Sequence, residues 1–205
     1  MSMTTAATIP ESPAGQKAEL QGKKIFQVDP AHSEATFRVR HLVTRVRGQF
    51  DDFSARIELD TDQPIHSSAE MVIKTASVQT FNKERDQHLR SPDFFDVEKY
   101  PEIRFVSKSI EHKGDDLYIV TGDLAIRGVS KEVDLPVHYL GTTKDPWGNV
   151  KAGFETEITI DRTDFGMRFN APLDTGGFLL GDDVAISVNI EASLQQPEEE
   201  KSASQ

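Results

Sequence analysis

The sequence predicts an all-β fold, an antiparallel barrel or sandwich with one short helical plug. Three observations predict it. Apolar and polar residues alternate with period two through a series of separate stretches, which puts one face of each in a core and the other in water. Turns rich in Gly, Pro, Asn and Asp fall between the stretches at hairpin spacing. A single compact segment, residues 82–90, departs from the alternation and carries helix signals at both ends.

Taken in order, Ala35, Phe37, Val39 and His41 share one face of the first alternating stretch, with Glu34, Thr36, Arg38 and Arg40 on the other. Phe53, Ala55, Ile57 and Leu59 repeat the pattern against Ser54, Arg56, Glu58 and Asp60, and Ala69, Met71 and Ile73 repeat it again. Asn82 then offers an N-cap, and Ser91-Pro92 stops the helix because the residue before proline is pushed out of helical geometry. Phe94 and Phe95 follow behind the Ser-Pro-Asp turn, placing His88, Leu89 and two phenylalanines where they plug one end of a barrel. Ile103 and Phe105 resume the alternation. Val133, Leu135, Val137 and Tyr139 follow, with Pro136 marking an edge or a bulge because it cannot donate to a ladder. Phe154, Thr156, Ile158 and Ile160, then Val184, Ile186, Val188 and Ile190, complete the series. The turns are Lys113-Gly-Asp-Asp116, Arg127-Gly128, Asp145-Pro-Trp-Gly-Asn149 and Gly176-Gly177.

A chain of 205 residues fits one large all-β domain. Residues 1–22 and 196–205 carry too little apolar surface to order themselves and are read as disordered tails, leaving residues 23–195 as the domain. There is no cysteine, which excludes disulfides and thiolate metal sites. A formal net charge of −11 repels nucleic acid and anionic lipid surfaces. No apolar run reaches the ~20 residues of a membrane helix, so membrane insertion is not expected. The N-terminal segment lacks the apolar core of a secretory signal. The expected compartment is therefore the cytoplasm, with the periplasm the alternative if a signal has been omitted.

Candidate chemistry is sparse. Asp29, His32 and Ser33 lie close in sequence, but no nucleophile elbow surrounds the serine, and Asp-Pro-Ala-His-Ser reads as a turn into a strand. The six histidines show neither i, i+4 nor His-x-His spacing, so no metal site is expected. The doublets Asp51-Asp52, Asp115-Asp116 and Asp182-Asp183 read as solvated turns. Gly176-Gly-Phe-Leu-Leu-Gly181 runs into a strand, not a helix, and reads as a rim loop in which Phe178 and Leu179 reach a ligand. Twelve phenylalanines against one tryptophan suit a dry interior, which is either a filled core or a ligand cavity.

In order, Phe26-Gln-Val-Asp-Pro-Ala-His-Ser33, Phe37-Arg-Val-Arg-His41, Gly48-Gln-Phe50, the segment 85–96, Tyr100-Pro-Glu-Ile-Arg-Phe105, Gly122-Asp-Leu-Ala-Ile-Arg-Gly128 with Val129-Ser-Lys131, Ile160-Asp-Arg-Thr-Asp-Phe-Gly166 and Gly181-Asp-Asp-Val-Ala-Ile186 resemble the YceI-like family of bacterial polyisoprenoid-binding proteins. The resemblance covers roughly residues 25–194. It implies a lipocalin-like antiparallel barrel of about eight strands with an elongated apolar cavity for a polyisoprenoid chain or an isoprenoid quinone. It also implies a periplasmic setting, which the N-terminus does not match, and it transfers no catalytic residues.

The expected function is non-enzymatic binding or carriage of such a lipid, with no metal and no cofactor other than the lipid. The expected lining is Phe37, Val39, Met71, Ile73, His88, Leu89, Phe94, Phe95, Phe105, Phe154, Ile158, Phe178 and Ile186. Arg162 and Asp164 pair structurally or meet a head group. Two alternatives stay open: an enzyme acting on a bound isoprenoid, and a solid-cored interaction protein. Monomer and homodimer are both compatible with the sequence.

Overall fold

The structure, a computed structural model, describes residues 20–173 and 178–195. Residues 1–19 of the expected N-terminal tail 1–22, the expected C-terminal tail 196–205 and the Gly176-Gly177 turn lie outside the described residues. Eleven antiparallel strands form one continuous sheet: β1 (Lys23–Val28), β2 (Glu34–His41), β3 (Thr44–Phe50), β4 (Phe53–Asp60), β5 (Ser68–Lys74), β6 (Val78–Gln79), β7 (Glu102–Gly114), β8 (Leu117–Ile126), β9 (Val129–Lys144), β10 (Val150–Asp161) and β11 (Leu180–Leu194). Eight of them close a ring in the order β1-β4-β5-β7-β8-β9-β10-β11, because β1 also pairs with β11 from Phe26↔Leu194 to Val28↔Ala192.

The remaining strands, β2, β3 and β6, extend from the same edge of β11. β11 is long enough to pair with β2 through Leu180–Asn189 and then with β1 through Ala192–Leu194. A 3-10 turn at Pro30–His32, capped by Asp29 Oδ1 accepting from Ala31 N, bends the chain between β1 and β2. Ser33 Oγ sews this bend to β11, donating to Glu191 O and accepting from Glu191 N.

The helix α1 spans Lys83–Arg90, and Asn82 Oδ1 accepts from Arg85 N at 3.0 Å, as an N-cap should. Three charged side chains fasten it, and a fourth holds the turn that follows it. Arg85 donates to Thr80 Oγ1 and O, buried Asp86 accepts from Thr80 N and Oγ1, and Arg90 donates to Ala76 O and Val78 O. Arg127, in the β8–β9 turn, reaches Pro92 O and Gly166 O. That turn has two residues, both with positive φ, as the twist of a tight hairpin demands. A Cβ on Gly128 would meet the Tyr100 ring at 2.6 Å, so glycine is required there twice over.

Pro136 lies one residue past the last β9–β10 pair, Val137↔Thr156, so its missing N–H falls on an unpaired edge. Two apolar clusters fill the ends of the barrel. Beneath α1, Phe37, Phe50, Ile73, Ile103, Ile126, Ile160 and Phe165 pack with Leu89 and Phe95. At the other end, Phe26, Ile57, Leu59, Ala152 and Ala192 pack with Tyr139 and Phe154. Leu20 belongs to this second cluster, and Gly22 N donates to Asp62, so residues 20–22 are docked although the sequence placed them in the tail. Among the described residues no helix is long and apolar enough to cross a membrane.

Candidate functional site: an internal apolar chamber

Between the two clusters lies a chamber of about 550 Å³. Its wall is built from the inward side of nearly every ring strand, because alternation sends every second side chain inward. Met71, Phe105, Leu135, Val137, Ile158 and Ile186 all line it, and all are only half-buried although they point into the barrel. An inward side chain in a filled core has neighbours on every side. Here the missing neighbours are the chamber itself.

Polar side chains enter the lining mainly at its ends. At the α1 end they are Thr80, Glu84, Arg85 and His88 from the plug and His41 from β2. The His88 ring stands edge-on to Phe94 at 5.0 Å and Phe169 at 4.7 Å, and its Nε2 lies 2.8 Å from Asp93 Oδ2. Phe37, Phe50 and Phe95 form a chain of ring contacts at 5.7 and 5.5 Å, which couples the plug to the wall. At the opposite end Tyr139 stacks on Phe154 at 5.4 Å, and burial pushes the Tyr139 hydroxyl pKa up.

Twelve of the thirteen residues expected in the lining surround the chamber: Phe37, Val39, Met71, Ile73, His88, Leu89, Phe94, Phe95, Phe105, Phe154, Ile158 and Ile186. Phe178 does not. It is 59 % exposed and bridges Pro172 on the outside, while its neighbours Leu179 and Leu180 turn inward. Of the two rim-loop residues expected at a ligand, Leu179 therefore lines the chamber and Phe178 does not, and Leu180 joins the wall beside it.

Arg162 is structural. It is 3 % exposed, borders the chamber, and has four of its five N–H groups engaged: Nε donates to Gly181 O, Nη1 to Met167 O and Phe169 O, and Nη2 to Asp182 Oδ1 at 2.8 Å. Asp182, expected as a solvated turn carboxylate, is therefore the counter-charge of a buried guanidinium. Asp164 pairs on the surface with Lys131 at 2.7 Å.

Asp29, His32 and Ser33 do not assemble for acyl transfer. His32 Nδ1 faces Asp29 Oδ2 at 3.1 Å, but Ser33 Oγ is committed to the Glu191 backbone. Among the described residues Asp29, His32 and Glu191 form a group whose ligating atoms could surround a cation, which histidine spacing did not reveal. Lys151 Nζ already stands there, 2.9 Å from Asp29 Oδ2 and 3.1 Å from Glu191 Oε1. It holds the Asp29 carboxyl at about 2, and the Lys151 ammonium is raised in return.

A closed antiparallel barrel around an apolar chamber, plugged by one short helix, defines the class of protein. The YceI-like domain model matches residues 26–192, and the chain belongs to that family. A UPF0312 protein of Staphylococcus aureus strain MSSA476 is 36 % identical over 173 residues, covering 83 % of this chain and 98 % of the relative. A UPF0312 protein of Photorhabdus laumondii is 41 % identical over 138 residues, covering 67 % and 71 %. Among solved structures, Burkholderia cenocepacia BcnA superposes with a TM-score of 0.70 at 28 % identity, covering 80 % of this chain and 98 % of that one. The Campylobacter jejuni YCEI protein gives 0.67 at 28 % identity, covering 94 % and 100 %. A polyisoprenoid binding domain from Saccharophagus degradans shares the fold, with a TM-score of 0.63 at 15 % identity over 83 % and 98 %.

Proposed function

We propose that the protein is a non-enzymatic binding or carrier protein for a long apolar lipid, a polyisoprenoid chain or an isoprenoid-quinone-like molecule held in the barrel. The observation that carries this reading is the 550 Å³ chamber with half-buried aliphatic and aromatic walls. That size lies within the ~300–1,000 Å³ of small-molecule sites. Each CH₂-sized group buried against such a wall contributes about 0.8 kcal/mol, so a five-carbon prenyl unit contributes about 4 kcal/mol before ordering costs. The tube requires no polar partner along the chain. Glu84, Arg85 and His88 meet the end of the ligand nearest the plug and orient a head group there. The reading needs neither metal nor resident cofactor, and the shared fold with a polyisoprenoid binding domain makes prenyl lipids the first class to assay.

The test is organic extraction of the purified protein followed by mass spectrometry. A prenyl lipid recovered at near-stoichiometric yield is the expected result. Protein free of lipid that also fails to take up prenyl lipids from detergent would overturn the reading and favour an interaction protein. Turnover of a bound quinone or prenyl ester would favour an enzyme instead.

A further inference from the structure

We propose that the β2–β3 hairpin is a docking surface for an anionic phospholipid bilayer. Residues 35–50 contain four arginines and no acidic residue, in a chain whose formal net charge is −11. The register sets Arg38 directly opposite Arg47 and Arg40 opposite Arg45. Like charges facing each other across a ladder destabilise it. Among the described residues only Arg38 has a carboxylate partner, Glu157 at 3.0 Å; Arg40, Arg45 and Arg47 have none. The nearest strand to this face, β11, brings Asp182 and Asp183, of which Asp182 is committed to Arg162. The fold therefore concentrates positive charge on one hairpin, and among the described residues three of its four arginines have no carboxylate partner.

The tip of the same hairpin is apolar. Val43 is 97 % exposed, and Leu42 beside it is also exposed. Leu42 has φ 52, a conformation that glycine adopts more readily than leucine. Phe178, absent from the chamber wall, lies next to this tip, because Leu42 N donates to Leu179 O at 2.9 Å. Phe81, 80 % exposed, emerges on the far side of β3, two residues beyond the Gln49↔Gln79 pair. Apolar side chains at a tip, with arginines behind them, fit the boundary between acyl chains and anionic head groups. The exposed apolar side chains favour a bilayer over nucleic acid. The inner face of the hairpin, Val39, His41 and Val46, lines the chamber, so a docked hairpin stands between bilayer and cavity. The purpose of docking, lipid exchange, rests on the lipid-carrier reading; the docking itself does not.

Flotation of the full chain with phosphatidylcholine vesicles, with and without phosphatidylglycerol, tests this. The wild type is expected to float with phosphatidylglycerol vesicles at low salt, to be released by high salt, and to ignore phosphatidylcholine alone. Arg40→Gln and Arg45→Gln each lower the partition about fivefold, the increment of one arginine near an anionic surface. Val43→Asp lowers it about tenfold, the order expected for an aliphatic side chain withdrawn from acyl chains. Trp147, exposed in the β9–β10 turn at the opposite end of β11 and roughly 40 Å away, provides the control: Trp147→Asp leaves partition unchanged. All these side chains are exposed, so each variant is expected to fold, and a thermal melt of each is the check. Partition that is absent, insensitive to Arg40 and Arg45, or equal on both vesicle types overturns the proposal. Binding of an oligonucleotide through the same arginines, without vesicle binding, reassigns the surface to nucleic acid and also overturns it. Extraction keeps the two readings separate: co-purified lipid without flotation retains the carrier and removes docking, and flotation of lipid-free protein does the reverse.

Discussion

Ile158 and Ile160 are two residues apart on β10 and point to the same side, yet truncating them is expected to have unequal costs. Ile160 is 8 % exposed and held on its flanks by the cluster beneath α1, although it too borders the chamber. Ile158 is half-buried and faces the chamber. Ile→Ala in a filled core costs about 2–5 kcal/mol, the sum of a transfer and a cavity term. For Ile160→Ala we expect about 4 kcal/mol, or roughly 8–16 °C in melting temperature for a domain of this size. At Ile158 the chamber already exists, so no new cavity is created and dispersion partners are lost on one side only. About 1.5 kcal/mol is expected there, roughly 3–6 °C. The assay is thermal unfolding of delipidated protein, followed by the same melts with prenyl lipid restored. Restored lipid should raise the melting temperature of wild type more than that of Ile158→Ala, because the wall of the variant has fewer contacts to offer. Equal losses of about 4 kcal/mol at both positions in delipidated protein would show that Ile158 is packed on all sides and that the chamber is filled.

Phe94→Glu, beside His88 and Phe169 at the plug, should remain folded by circular dichroism and lose co-purifying lipid, since its carboxylate can turn into the chamber; unfolding, or unchanged lipid content, counts against a chamber there. Lys151, together with the hydrogen bonds from His32 and Ala31 N, lowers the folded-state pKa of Asp29 from its ordinary 3.8 to about 2, so the stability these contacts supply is present above 3.8 and is lost as pH falls towards 2. Urea midpoints should accordingly decline more steeply over that window in wild type than in Lys151→Gln, and parallel curves would refute the coupling. Thr156 Oγ1 is buried without a hydrogen-bond partner among the described residues, so Thr156→Val should gain roughly 1 kcal/mol, seen as a higher melting temperature.

The plug was legible because its signals are local: an Asn82 cap, a Ser91-Pro92 stop and a phenylalanine pair each act within a few residues. β2, β4, β5, β10 and β11 were legible because one face of each is wet. β8 was not, because Leu117, Ile119 and Ala125 on one face are as apolar as Val120, Leu124 and Ile126 on the other. β3 was hidden by Gly48, whose place on the inner face is taken by the Phe37 ring; a Cβ there would lie 2.2 Å from it. Alternation reports which way a side chain points, not how closely its flanks are packed, so half-buried Ile158 and buried Ile160, both on the chamber wall, look alike in sequence. The burial of Arg162 was equally invisible, since its partners Met167 O, Phe169 O and Gly181 O are backbone atoms that carry no residue-type signal.

The seam between Phe26 and Leu194 has a consequence for biogenesis. A chain leaving the ribosome N-terminus first can build the meander from β4 to β10 strand by strand, but the ring stays open until β11 emerges and meets both β10 and β1. Until then the inner faces of the meander are one continuous apolar sheet with two unpaired edges, a surface open to aggregation and to chaperones. Contacts between residues at opposite ends of the chain are also the slowest to form. Capture of a hydrophobic guest therefore becomes possible only once β11 has emerged, and loss of β11 would leave an open, sticky sheet instead of a weakened tube.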